Sequence, residues 1–393
     1  MPPAARRNPF SLAFNYLSTK ARRTSSINTS QPKRSSIAAS STTASPTATK
    51  QFSKMAPSNQ AAFIDEPKKH PMTVGPSPYP SAGNGEIVVK VAATAINPMD
   101  WYIQLLGNDL FNFLQYPYVG GSDVAGTVAE VGAGVTNFKV GDRVIGLCAG
   151  FDQKAGGFQN YVVIESKIAA QIPADLSFTD ASVLPLGLST AACGLYQKDF
   201  LGLDPPSLNP KPNGKTVLIW AGASSVGSNA VQLAAASGYE VFTTSSPKNF
   251  DLCKSLGASQ VFDYNSPTVA QDIIAAFQGK KCAGGYAICQ GSEKHVFEII
   301  GKAEGSNFIA AAMPVPNVPA GVESKMVFGS TLKDNEVGPI VWGQFLPAAL
   351  AQKKFKIAPK PLVAGHGLEA IQAAIDQGKA PGSISAQKLV ITL

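Results

Sequence analysis

The sequence predicts a two-domain α/β protein, a small β barrel followed by a doubly wound parallel sheet. Three observations lead there. The chain has 393 residues, more than one compact core comfortably holds. Short strands divided by glycine-rich turns fill residues 86–164, and a regular alternation of strand and helix begins after residue 214. A content of 45% apolar and 15% charged residues suits a globular α/β protein. The longest apolar stretches, Phe308 to Val315 and Val337 to Ala351, are short or interrupted by Pro and Gln, below the roughly 20 residues of a membrane span.

At the front, residues 1–64 carry nine Lys and Arg and no acid, Asp65 being the first. The formal net charge of +7 therefore resides in this leader: 33 basic residues less nine leaves 24 against 26 acids, a net of −2 for the rest. A near-neutral body gives no support to nucleic-acid binding. The leader is rich in Ser, Thr, Ala and Arg and lacks the continuous apolar run of a secretory signal. Phe10, Leu12, Phe14 and Leu17, with Arg6, Arg7 and Lys20, have the makings of a basic amphipathic helix for mitochondrial import. The alternative is a disordered extension or a true start at Met55, which implies a cytoplasmic protein.

Glu86 to Ala95, Val124 to Val131, Val140 to Leu147 and Tyr161 to Ile164 read as the barrel strands. Residues Asp180 to Gln197 read as helical, and a Pro-rich connector spans Asp204 to Asn213. Beyond it, Thr216 to Trp220, Val241 to Thr244, Val261 to Phe262, Tyr286 to Cys289 and Phe308 to Ala311 are the strands of the parallel sheet. Lys388 to Leu393 is a terminal strand with no helix after it, expected to return to the first domain. The expected division is a leader over 1–59, a substrate domain over 60–188, a dinucleotide domain over 189–340 and a C-terminal return over 341–393. The five cysteines form no C-x-x-C pair and are expected to be buried reduced thiols.

The segment from Lys215 to Thr244 sets a strand, a glycine-containing turn and a helix in dinucleotide order. Gly222 is expected to permit the tight turn and Gly227 close packing of helix on strand. Ser224 stands where a second Gly is usual, adding a hydroxyl near the phosphates. The N–H groups of Ser224, Ser225 and Val226 are expected to face a diphosphate at the positive end of the helix. About 20 residues on, where an NAD enzyme carries Asp or Glu, the run FTTSSPKN has no acid. It offers Ser245, Ser246 and Lys248, with Asn249 beside them, to a 2′-phosphate, so NADPH is the expected cofactor. Hydrogen bonds to a charged group contribute about 1.5–3 kcal/mol each, enough for a tenfold or larger preference.

Further motifs are NPMDWY from Asn97, GGSDVAGTVAEVG from Gly120, VGDRVIG from Val140 and LPLGLSTAACGLY from Leu184. Together with GASSVG and SPKNFDLCKSLGA they resemble the medium-chain dehydrogenase/reductases across about residues 60–393, especially the quinone reductases and the fungal trans-enoyl reductases. That resemblance implies a GroES-like barrel carrying the substrate site and a Rossmann domain holding the nicotinamide. It also implies that Thr190 approaches the nicotinamide carboxamide and Tyr264 the 2′-phosphate. The zinc-dependent branch has Cys, His and Glu where this chain has Asn97, Ser122 and Asp123, so no metal is expected.

Without a Lewis acid, alcohol oxidation is hard, and reduction of an activated C=C bond fits better. Negative charge then collects on a carbonyl oxygen, where one placed donor contributes about 2.7–4 kcal/mol. Tyr102 is the first candidate donor, with Asp100 orienting it or the ribose, and Asn97 completing the N-x-x-D-x-Y pattern; the alternative is that Tyr102 packs in the barrel and water supplies the proton. The expected substrate is an apolar enone, enoyl thioester or quinone, in a pocket lined by Val337 to Ala351 and Met313 to Val318. A homodimer and a polyketide synthase partner are compatible with this reading, nucleic acid and membrane are not expected, and the rival class is a non-catalytic NADPH-binding interaction protein.

Overall fold

The computed structural model describes residues 57–315, 317–380, 382 and 384–393. The leader, and with it the import expectation, lies outside them except at its last three positions.

The barrel domain is organised around the strand Glu86–Ala95. Its Ile and Val side chains are buried on both faces, and it has neighbours along both edges. One edge pairs with Asp123–Val131 over nearly its whole length. The other is shared between Tyr161–Glu165 and the C-terminal strand Gln387–Thr392, so the chain end does return to the barrel. Arg143–Leu147, Ala169–Gln171 and Lys360–His366 complete the sheet. A smaller antiparallel sheet of Asn59–Ile64, Thr73–Ser77 and Tyr118–Val119 caps it.

The second domain is a six-stranded parallel sheet in the order Gln260–Asp263, Glu240–Ser245, Lys215–Ile219, Lys281–Ala287, Phe308–Ala311 and Glu323–Met326. Alternation along Lys215–Ile219 explains its two-sided burial. Val217 and Ile219 pack with Ala230, Val231 and Ala234 of the helix Ser225–Ala236, while Leu218 faces Phe242, Ile273, Val296 and Ile300 on the other side. Chain order reverses between Lys215–Ile219 and Lys281–Ala287, which opens a crevice at the carboxyl ends of those strands.

Some expectations are corrected. The helical stretch 180–197 is two helices, Phe178–Ala181 and Pro185–Tyr196, because Pro185 has no N–H to continue the first and sits at the start of the second. The strand Glu323–Met326 escaped notice because a half-exposed edge segment reading ESKM has no apolar run. Residues Val337 to Ala351 do not line the pocket. They form a π-helical stretch, Pro339–Phe345, leading into the helix Leu346–Ala351, and bury Val341, Trp342, Phe345, Leu346 and Leu350 in the main core. Trp342 Nε1 donates to Ser189 Oγ at 3.0 Å, which ties this stretch to the helix Pro185–Tyr196. Four cysteines are buried free thiols, but Cys289 is exposed at the crevice. No described helix is long and apolar enough to cross a membrane.

Candidate active site

The turn after Lys215–Ile219 is shaped by two glycines and two threonines. The left-handed residue is Ala221, at φ 64°, and not Gly222. Gly222 is required instead for close approach, since a Cβ there would lie 2.3 Å from Thr243 Oγ1. Thr244 Oγ1 accepts the Ala221 N–H at 3.0 Å, and Thr243 Oγ1 donates to Ile219 O at 2.6 Å, so the neighbouring strand holds the turn. A Cβ on Gly227 would meet Ala221 O at 2.0 Å, which is the expected close packing of helix and strand.

Ser224 is the N-cap of the helix Ser225–Ala236 and accepts the Gly227 N–H at 3.1 Å. Its own N–H bonds Ala221 O at 3.0 Å, a correction to the expectation that it faces the phosphates. The N–H groups of Ser225 and Val226, the first two helical residues, have no intrahelical acceptor by helix geometry, and both residues line the cleft. These two N–H groups stand at the positive end of the helix, where an anionic group is favoured.

At the end of Glu240–Ser245 the candidate 2′-phosphate residues divide. Half-buried Ser246 and Asn249 and exposed Lys248 follow this strand, and exposed Tyr264 follows the neighbouring strand, in which Asp263 pairs with Ser245. Asn249 Nδ2 donates to Ser246 Oγ at 3.2 Å. Ser245 does not join them: it is 1% exposed and its hydroxyl donates to Ser246 O at 3.1 Å.

Across the cleft, the helix Pro98–Leu106 presents Asp100 and Tyr102. Asn97 precedes it as N-cap, and its N–H donates to Asp100 Oδ2 at 2.7 Å. Asn97 Nδ2 donates to Asp123 Oδ2 at 2.7 Å. Asp123 also accepts the Leu186 N–H at 2.5 Å and is paired with Lys388 Nζ at 2.5 Å. Burial pushes the Asp100 carboxyl up to about 7, with the Asp123 charge adding to it and the N–H groups of Asn97 and Gly121 opposing it. Tyr102 is half-buried on the same wall. Thr190, mid-way along Pro185–Tyr196, also lines the cleft, and its carbonyl accepts Tyr286 Oη at 2.6 Å.

The cleft is a cavity of about 470 Å³ that brings together Asn97, Asp100, Tyr102, Thr190 and Ser224 to Val226. Its remaining wall is largely apolar, with Met99, Trp101, Phe111, Phe151 and Met313 among its residues. Sequence reasoning missed Lys388, which it read only as part of a strand. The signal was present as a lone lysine opening the apolar run KLVITL, but its partner is 265 positions earlier.

Known proteins agree with this architecture. A family model described as an alcohol dehydrogenase GroES-like domain matches residues 83–174, and one described as a zinc-binding dehydrogenase matches residues 225–304. Dehydrogenase azaJ of Aspergillus niger is 47% identical over 348 residues, spanning 86% of this chain and 99% of that protein. The chain belongs to the medium-chain dehydrogenase/reductase superfamily. Within it, trans-enoyl reductase himH of Aspergillus japonicus is 42% identical over 344 residues, spanning 85% of this chain and 97% of that protein. The crystal structure of an alcohol dehydrogenase superfamily protein from Novosphingobium aromaticivorans matches with a TM-score of 0.69 at 26% identity, over 85% of this chain and 99% of that one. As a medium-chain dehydrogenase/reductase, the protein is an oxidoreductase that takes a nicotinamide cofactor.

The zinc in the description of one family model is not matched by these residues. Among the described residues no group of three His, Cys, Asp or Glu side chains stands where it could hold a metal. Asn97 points its amide hydrogens at Asp123, and that carboxylate is already occupied by three donors. The three histidines serve elsewhere: His70 pairs with Asp376, His295 stacks on Trp220 and His366 bonds Thr392.

Proposed function

We propose that the protein is an NADPH-dependent reductase of the C=C bond of an apolar α,β-unsaturated carbonyl compound, an enone or enoyl thioester. The observation that supports it most is the composition of the cleft. A diphosphate cradle on one side faces, across an apolar cavity, a tyrosine and a buried carboxyl, and among the described residues no set of three metal-ligating side chains comes together. Bound NADPH would supply the hydride to the substrate β-carbon.

The residues of the chain do the rest. Ser225 and Val226 N–H hold the diphosphate, and Ser246, Lys248, Asn249 and Tyr264 receive the 2′-phosphate, with Lys248 supplying the positive charge. Thr190 borders the nicotinamide end of the cleft. The apolar wall shields the reacting bond during hydride transfer, Tyr102 donates a hydrogen bond to the carbonyl oxygen as negative charge gathers there, and the resulting enolate then takes a proton at the α-carbon from the Tyr102 hydroxyl or from water. The name of himH supports an enoyl substrate, and a polyketide acyl chain, delivered by a synthase partner, is of suitable apolar character.

Stopped-flow loss of NADPH absorbance against a panel of enones, enoyl thioesters and quinones tests this reading. Turnover of the first two classes is expected, with NADPH preferred over NADH. Turnover of quinones alone would move the protein to the quinone reductases, and tight NADPH binding without turnover of any class would overturn an enzymatic role.

A further inference from the structure

On and behind the cleft wall that carries Asp100, two acidic residues and one cation are kept almost wholly from water. Asp100 is 4% exposed, Asp123 0% and Lys388 4%. Asp123 accepts the Leu186 N–H on Oδ1, and Asn97 Nδ2 and Lys388 Nζ on Oδ2. Lys388 Nζ donates further to Val183 O at 3.2 Å and to Ser225 Oγ at 3.3 Å. One ammonium therefore joins the C-terminal strand, the barrel and the first residue of the cofactor helix. Asn97 links the two acids, giving its side-chain amide to Asp123 and its main-chain N–H to Asp100.

Counting charges gives the state of this cluster. Lys388 and Asp123 neutralise one another at ion-pair distance, so an ionised Asp100 would leave one uncompensated negative charge on a group that is 4% exposed. Desolvation disfavours that arrangement, and the N–H donors to Asp100 offset it only in part.

We propose that Asp100 stands on the cleft wall as a neutral carboxylic acid and that the Lys388–Asp123 pair is the positioning device that sets when it loses its proton. Lys388 acts through its charge and through Asp123 and Asn97. This rests on the proposed reduction for its consequence: charge gathers on the substrate carbonyl oxygen during hydride transfer, and an ionised carboxylate on the same wall repels it. The single-turnover rate of reduction accordingly falls as pH rises through the titration of Asp100. Burial is the main cause that lifts this carboxyl to about 7, with the Asp123 charge adding to the rise and the N–H groups of Asn97 and Gly121 and the Lys388 charge opposing it. Tyr118 and Cys148 also interact with Asp100, and burial pushes both well above their usual ranges, so they stay neutral through this window; Tyr102 shares the wall.

The two members of the pair oppose each other, and this makes the test specific. Lys388→Met leaves Asp123 uncompensated and is expected to move the falling limb of the pH–rate profile up by about one pH unit, whereas Asp123→Asn leaves Lys388 uncompensated and moves it down by about one unit. The double variant removes both charges and returns the limb close to wild type. A merely structural role lowers the amplitude in all three without opposite shifts, and that result, or shifts in the same direction, overturns the proposal. If Lys388→Met does not fold, Asp123→Asn and the double variant still decide it.

An infrared pH titration of the full chain without substrate separates this proposal from the enone reading. The protonated-carboxyl band that disappears in Asp100→Asn is expected to titrate near neutrality. Its absence across that range overturns the proposal whatever the substrate proves to be, and its presence with no enone turnover would reject the reductase reading alone.

Discussion

The two walls of the cleft are built by opposite means. On the side of the dinucleotide turn, one continuous stretch, Lys215 to Ser245, offers main-chain N–H groups at Ser225 and Val226 and lacks side chains at Gly222 and Gly227. The wall that faces it holds Asn97 and Asp100, backed by the buried Asp123–Lys388 pair, residues far apart in the chain, and it works through buried charge. A wall of main chain tolerates a change of polarity but not of volume. A wall of paired charges is the reverse, since what it cannot bear is an unmatched ion.

The largest effect is therefore expected from breaking the pair. Lys388→Met leaves the Asp123 carboxylate without its cation, and removing one partner of a buried pair costs about 3–5 kcal/mol. Denaturant unfolding should show this loss, with most of it recovered when Asp123→Asn is added. Equal losses in the single and double variants would show that Lys388 contributes through packing of its stem and not through charge.

Next comes added volume on the cofactor wall. In Gly227→Ala the new Cβ meets Ala221 O at 2.0 Å, main chain that cannot rotate aside. Overpacking of this kind costs about 1–3 kcal/mol, and the helix must shift from the strand. Fluorescence titration should show NADPH affinity reduced by more than about tenfold, since 1.4 kcal/mol is a factor of ten. A variant that binds NADPH as before would mean that the cradle lies elsewhere.

This contrast also explains what could be read in the sequence. The strand Phe308–Ala311, the barrel strand Glu86–Ala95 and the cofactor turn were legible because each is a local pattern with a local cause. Asp123 was visible only as a substituted position beside Ser122, and Lys388 only as a strand residue, because their meaning lies in each other. The same limit misplaced Val337 to Ala351: an apolar run shows that a segment is covered, but not whether a pocket or a tryptophan-filled core covers it. Gly222 shows a subtler failure. The residue was the right one, but its reason is Thr243 on the next strand, which the spacing of glycines does not reveal.

A smaller effect is expected at the nucleotide end, where side chains again act but in water. Lys248 is exposed, so Lys248→Ala should leave stability unchanged and weaken NADPH by about tenfold, near the lower end of what a charge-assisted hydrogen bond contributes. NADH, which lacks the 2′-phosphate, should bind as before. Equal weakening of both cofactors would place Lys248 on a shared part of the nucleotide.

The smallest effect sharpens the comparison most, because it concerns a side chain on the main-chain wall. Ser224 stands where a glycine is usual, and its hydroxyl accepts the Gly227 N–H at 3.1 Å while the Ser225 and Val226 N–H groups remain for the diphosphate. Ser224→Ala removes a helix cap worth about 1 kcal/mol, to be seen in unfolding, but takes nothing from the cradle. NADPH affinity should then stay within about a factor of three, less than about 0.7 kcal/mol. A tenfold or larger loss would show that the hydroxyl turns from Gly227 to the phosphates when the cofactor binds, and the cofactor wall would then depend on a side chain after all.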